Sequence, residues 1–121
     1  MRILVVDDSR AMRQIVTQAM RQVPGVQVQE AGDGGNALAM IRTTTPEMVI
    51  CDLHMTPISG MAVLAQLRKD GNPVPFVLMT ADVFPELRAQ AEELGATYVV
   101  YKPFPTNTMP SLVGAVRAGT P

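Results

Sequence analysis

The feature that most constrains this chain is an alternation of two patterns. Short, unbroken apolar runs end in a polar tip, and longer stretches between them carry apolar residues three and four apart. Ile3-Leu4-Val5-Val6 runs into Asp7-Asp8, Met48-Val49-Ile50-Cys51 into Asp52, Val74 to Met79 into Thr80, and Tyr98 to Tyr101 into Lys102-Pro103. A run apolar at nearly every position is expected of a strand covered on both faces. Met12, Ile15, Val16, Ala19, Met20 and Val23 form a helix stripe stopped by Pro24-Gly25. Val26 to Ala31 predicts the second strand and Gly32-Asp33-Gly34 a turn. Three further helices carry Ala37, Leu38 and Ile41, then Met61, Leu64 and Leu67, then Leu87, Ala91 and Leu94. Asp70-Gly71 closes the second of these and Gly95 the third. A last helix starts near Thr106 and carries Met109, Leu112, Val113 and Val116. Pro110 falls in its first turn, where the missing N–H costs nothing. Five strands alternating with five helices predict parallel βαβ units with right-handed crossovers. The expected fold is an α/β three-layer sandwich in one domain over residues 1–121.

Composition narrows the chemistry. At 121 residues and 47% apolar, the chain can bury one core without staples. A net charge of −1 offers no basic field for a nucleic acid backbone. Cys51 has no partner for an internal disulfide, which suits a reducing cytoplasm. One histidine and one cysteine exclude a zinc site rich in either. No apolar run approaches the ~20 residues that span a bilayer, so no membrane insertion is expected. The nine methionines, at helical spacing, are expected to fill the core.

In open parallel sheets, ligands bind beyond the carboxyl ends of the strands. The side chains at those ends, Asp7-Asp8, Asp52, Thr80 and Lys102, can therefore converge on one pocket although they are scattered in sequence. Three carboxylates brought together repel, by about 4 kcal/mol per pair at ~4 Å and an effective dielectric of 20. One must take up a proton unless a cation intervenes. An all-oxygen, carboxylate-rich site suits Mg2+. The set makes chemical sense if a phosphoryl group arrives. The metal and the Lys102 ammonium shield its oxygens, while Thr80 and the Ala81 N–H donate hydrogen bonds. An aspartate oxygen is a competent nucleophile toward phosphorus and gives an acyl phosphate. Taken singly, each residue has a plainer reading. Asp8 or Ser9 can cap the first helix, Asp52 can serve a turn, Thr80 can satisfy a local backbone group, and Lys102 can be solvated.

The motifs together resemble the receiver domain of two-component response regulators, closest in length to the stand-alone chemotaxis (CheY-like) type. They are ILVVDD, DGGNAL, CDLHM, LMTAD and GATYVVYKPF, and the match runs from Arg2 to about Arg117. The resemblance implies a flavodoxin-like, CheY-like sheet of strand order 2-1-3-4-5. It implies that Asp52 is the phosphoacceptor for the phosphohistidine of a sensor histidine kinase or phosphotransfer protein. Asp8 would bind magnesium directly, Asp7 mostly through water, and the His54 backbone carbonyl would be a further ligand. Thr80 and Lys102 would sense the phosphoryl group, and Lys102-Pro103 would be a cis peptide. Such a domain catalyses only its own phosphorylation and dephosphorylation. Its fourth helix, fifth strand and fifth helix would face a downstream protein or output domain.

Three positions depart from the family pattern. The proline usual four residues after the phosphoacceptor is Thr56 here, with Pro57 one later. The usual switch aromatic, three before the lysine, is Val99. Tyr101 shares the face of Val99 and Tyr98 takes the opposite one, so Tyr101 or Val99 is expected to couple Thr80 to the partner surface. His54 and Asp82 stand where this family modulates the lifetime of the phosphoryl group, and His54 is expected either to pair with Asp82 or to make metal affinity pH-sensitive. Other readings stay open: a phosphate-relay sink, a receiver cut from a regulator with a DNA-binding or enzymatic output domain, or a flavodoxin-like electron carrier. Against the last, the acidic first loop repels an anionic flavin phosphate.

Overall fold

A computed structural model of the chain describes residues 1–105 and 107–119. Its elements alternate in the expected order: β1 (Arg2–Val6), α1 (Arg10–Arg21), β2 (Gln27–Ala31), α2 (Gly34–Thr44), β3 (Met48–Asp52), α3 (Gly60–Lys69), β4 (Phe76–Thr80), α4 (Pro85–Glu93), β5 (Tyr98–Tyr101) and α5 (Thr108–Arg117). The five strands form one sheet of order β2-β1-β3-β4-β5, parallel at every pairing.

Alternation along each strand divides the core. Leu4, Val6, Val49, Cys51, Phe76 and Leu78 face one side, with Ala37 and Ile41 of α2 and Val63, Leu64 and Leu67 of α3. Ile3, Val5, Met48, Ile50, Val77 and Met79 face the other, with Val16 and Met20 of α1 and Met109, Leu112 and Val113 of α5. β3 and β4 are buried at all five positions, which is why their sequences are apolar rather than alternating. All nine methionines lie in or against these two clusters, the expected role.

Element ends differ from the sequence reading where backbone hydrogen bonding decides. Helix α1 stops at Arg21, before the Pro24-Gly25 stop, because the Val23 N–H turns back to the Met20 carbonyl at 3.0 Å. Val26 belongs to that turn and not to β2, its N–H reaching the Val23 carbonyl. Gly34 is helical rather than part of a turn, since the Asp33 carboxylate caps α2 by accepting the Asn36 N–H at 2.7 Å. β4 starts at Phe76, not Val74: Pro75 has no N–H to donate, and the Val74 N–H goes to the Asn72 side chain. Helix α4 ends at Glu93, so Leu94, expected on the helix, is its C-cap, with its N–H on the Gln90 carbonyl at 3.0 Å; Gly95 follows as the expected stop at φ +97°. Helix α5 begins at Thr108 with Pro110 in its first turn; the expected start near Thr106 lies outside the described residues.

Candidate functional site

Parallel pairing brings the carboxyl ends of β1, β3, β4 and β5 to one edge of the sheet, and the ladder continues past them. The Asp7 N–H donates to the Ala31 carbonyl at 3.2 Å, Leu53 N–H to Met79 at 2.8 Å, and Lys102 N–H to Thr80 at 2.8 Å. The polar tips are therefore held by the backbone that carries them. Asp7, Asp8 and Asp52 each present a carboxylate oxygen within 4.8 Å of the others. The Lys102 ammonium lies 2.5 Å from Asp52 Oδ1 and 3.5 Å from Asp7 Oδ2. Asp7, Asp52 and Thr80 are buried and Asp8 is exposed.

Asp7 is the most electrostatically loaded member. Its Oδ1 accepts the Ser9 N–H at 2.9 Å; its buried Oδ2 accepts no hydrogen bond among the described residues and faces the Lys102 ammonium at 3.5 Å. Burial pushes its carboxyl above the ordinary range, and neighbouring Asp52 adds to the rise. The Ser9 N–H and the Lys102 ammonium oppose it. One lysine for three carboxylates leaves a net negative, all-oxygen cluster with an under-satisfied buried acceptor, which is what a hard divalent cation neutralises. The residues present fit magnesium.

The remaining expected residues fall around this cluster. The Thr80 hydroxyl oxygen accepts the Asp82 N–H at 3.0 Å, the plainer role, and this leaves its proton free to donate. Ala81 is exposed at the tip of β4. His54 Nε2 pairs with the Asp82 carboxylate, joining the β3–α3 and β4–α4 loops. Thr80, Val99 and Tyr101 line one small cavity under α4 with Leu78, Leu87 and Arg88, while Tyr98 packs on the other face of the sheet. Strand alternation is thus as expected. Arg88 itself bonds within its helix, its Nε donating to Glu92 Oε1 at 2.9 Å. Lys102-Pro103 is cis, as is Thr56-Pro57 in the loop where the family proline is displaced. Cys51 is buried and donates weakly to the Asp52 carbonyl at 3.4 Å; burial pushes its thiol far up, so it is inert.

Sequence reasoning missed two supports. The first residue of α3, Gly60, packs so tightly that an added Cβ would lie 2.2 Å from the Asp52 carbonyl oxygen. Ser59 caps that helix, accepting the Ala62 N–H at 3.2 Å, and a Ser-Gly pair before an apolar stripe was the available signal. The other is Arg13, whose contact with the Asp7 carbonyl at 2.7 Å no spacing rule reveals.

Comparison with known proteins agrees with this geometry. Residues 3–114 match the family model described as the response regulator receiver domain. The chain is 35% identical over 118 residues to the response regulator MprA of Mycobacterium avium, covering 98% of this chain and 50% of that protein. It spans about half the length of the curated relatives it matches. Among solved structures, the chemotaxis response regulator CheY4 of Vibrio cholerae superposes with a TM-score of 0.86 at 28% identity, covering 95% of this chain and 97% of that one. A LuxR-family two-component response regulator from Aurantimonas gives 0.91 at 28%, covering 98% and 86%. With its motifs, its sheet order and its acid-tipped strands all in agreement, the chain belongs to the receiver domain family of two-component response regulators.

Proposed function

We propose that this chain is a cytoplasmic phospho-switch in which Asp52 takes a phosphoryl group from the phosphohistidine of a sensor kinase or phosphotransfer protein. An Asp52 carboxylate oxygen attacks phosphorus. The O–P bond forms and the P–N bond to the imidazole breaks. The departing nitrogen keeps the electron pair and takes up a proton. The Lys102 ammonium, 2.5 Å from Asp52 Oδ1, offers positive charge where the phosphoryl oxygens arrive. The Thr80 hydroxyl and the Ala81 N–H donate to those oxygens. Asp8 would hold Mg2+ directly, Asp7 through water, and Asp52 and the His54 backbone carbonyl would complete the protein ligands. When bound, the ion offsets the repulsion between carboxylates and incoming phosphoryl oxygens.

The observation that carries this reading is the buried Asp7 Oδ2, which accepts no hydrogen bond among the described residues, beside two further carboxylates and the single ammonium of Lys102. Treatment with a small acyl-phosphate donor and magnesium should add the mass of one phosphoryl group. Asp52→Ala should remove that addition completely. An addition that survives in Asp52→Ala would overturn the assignment.

Downstream, Thr80, Val99 and Tyr101 would form the switch, and α4, β5 and α5 the face read by a partner. The cavity that Thr80, Val99 and Tyr101 share under α4 supports that coupling. His54 and Asp82 would set how long the phosphoryl group lasts. The domain acts on no substrate besides its own Asp52 and contacts no nucleic acid itself. The doubled length of the curated relatives favours a second reading, in which an output domain shares the chain; the reading frame beyond Pro121 decides it.

A further inference from the structure

One side chain away from the strand tips grips the peptide that joins two of the proposed metal ligands. Arg13 is the fourth residue of α1 after the Ser9 cap, and helical side chains lean toward the helix N-terminus. That lean brings its guanidinium back over the β1–α1 loop. Nη1 donates to the Asp7 carbonyl at 2.7 Å, and Nε donates to Glu30 Oε1 on β2 at 3.0 Å. Arg21 approaches the second Glu30 oxygen at 3.6 Å. The Arg13 side chain is 18% exposed and that of Glu30 36%, so the arm of the fork on the Asp7 carbonyl is the better shielded from water.

We propose that Arg13, braced by Glu30, is a positioning residue for the acidic pocket. It holds the peptide plane between Asp7 and Asp8 and so determines where the Asp8 carboxylate meets a divalent cation. The inference rests on the magnesium reading of the site. The Asp7 carboxylate has its own anchor in the Ser9 N–H. Asp8 has none among the described residues: it is exposed and its carboxylate accepts no hydrogen bond. Its place therefore depends on the backbone, and the carbonyl of that backbone is the one Arg13 grips. The fork matters as well as the charge, because a planar guanidinium donates in two directions at once where an ammonium is a point charge.

The sign of the effect separates positioning from simple electrostatics. Arg13 is a cation near a cation site, so charge alone predicts that its removal tightens magnesium binding. Positioning predicts the reverse. Magnesium titrations by calorimetry at one ionic strength, with amide exchange at Asp8 and Ser9, decide between them. Arg13→Gln should weaken binding about tenfold, the low end of what loss of an outer-shell partner costs, and speed exchange at both amides. Arg13→Lys should recover part of the affinity. Glu30→Gln should also speed exchange at Asp8, and its effect should not add to that of Arg13→Gln. A folded Arg13→Gln that binds magnesium equally or more tightly overturns the proposal. Should that variant fail to fold, unchanged Asp8 exchange in Glu30→Gln overturns it instead. An unaltered chain that binds no magnesium overturns the metal reading along with this one, whereas normal binding with unmoved variants sinks this inference alone.

Discussion

At the floor of the pocket Asp7 is 1% exposed and Asp52 6%, whereas at its mouth the His54 and Asp82 side chains are 62% and 39% exposed. The same kinds of charged group thus work in two media. Two unit charges ~4 Å apart interact by about 4 kcal/mol at an effective dielectric of 20 but about 1 kcal/mol in bulk water. Floor charges are costly enough to demand a counter-ion and to shift a carboxyl, as Asp7 is shifted. Mouth charges are screened, and an exposed pair is worth roughly 0–1 kcal/mol. On the proposed function the floor would govern whether phosphoryl chemistry occurs, and the mouth would only tune it.

Asp7→Asn should break this contrast most visibly. The substitution removes a buried charge whose Oδ2 accepts no hydrogen bond among the described residues and has the Lys102 ammonium only at 3.5 Å, an under-satisfaction that costs up to about 1–3 kcal/mol. The metal-free protein should therefore become more stable at neutral pH while magnesium binding is lost. The pH dependence follows in sign. A carboxyl with a raised folded pKa binds more protons folded than unfolded above its ordinary range, so the metal-free chain loses stability as pH rises through that window. Denaturation midpoints with chelator present should fall with pH in the unaltered chain and flatten in Asp7→Asn; parallel curves would refute the buried-charge account.

His54→Asn probes the mouth and should do less. On the proposed function, opening the His54–Asp82 bridge would admit water to the acyl phosphate. Dephosphorylation should quicken by about threefold, the rate equivalent of the roughly 0.7 kcal/mol an exposed pair supplies. An unchanged rate would retire the bridge as a lifetime control. The smallest effect is expected under α4, where Tyr101 and Arg88 line one small cavity. Side-chain resonances of Tyr101 should shift when a phosphoryl mimic loads the site and Thr80 repacks; a stationary ring would leave the β5 aromatic as packing only.

The strand tips were legible because strands buried on both faces must read as unbroken apolar runs, so the residue that ends each run stands out. Asp7, Asp8, Asp52, Thr80 and Lys102 were all found that way. The supports were less legible, because they join elements distant in sequence. Arg13 meets Glu30 across 17 positions, unforeseen, while the His54–Asp82 pair, 28 positions apart, was expected only through the family resemblance. Gly60 is needed only because its Cα lies against the Asp52 carbonyl, a proximity no local pattern encodes.

By itself, the order of residues determined the alternation of strands and helices, the polarity of each strand end and the membership of the acid set, since all three follow from local periodicity. Tertiary structure alone decided the distances among those ends, the burial that raises the Asp7 carboxyl and the guanidinium that holds its carbonyl. Charge interactions and desolvation depend on separation and water access, and both come into being only when the sheet assembles.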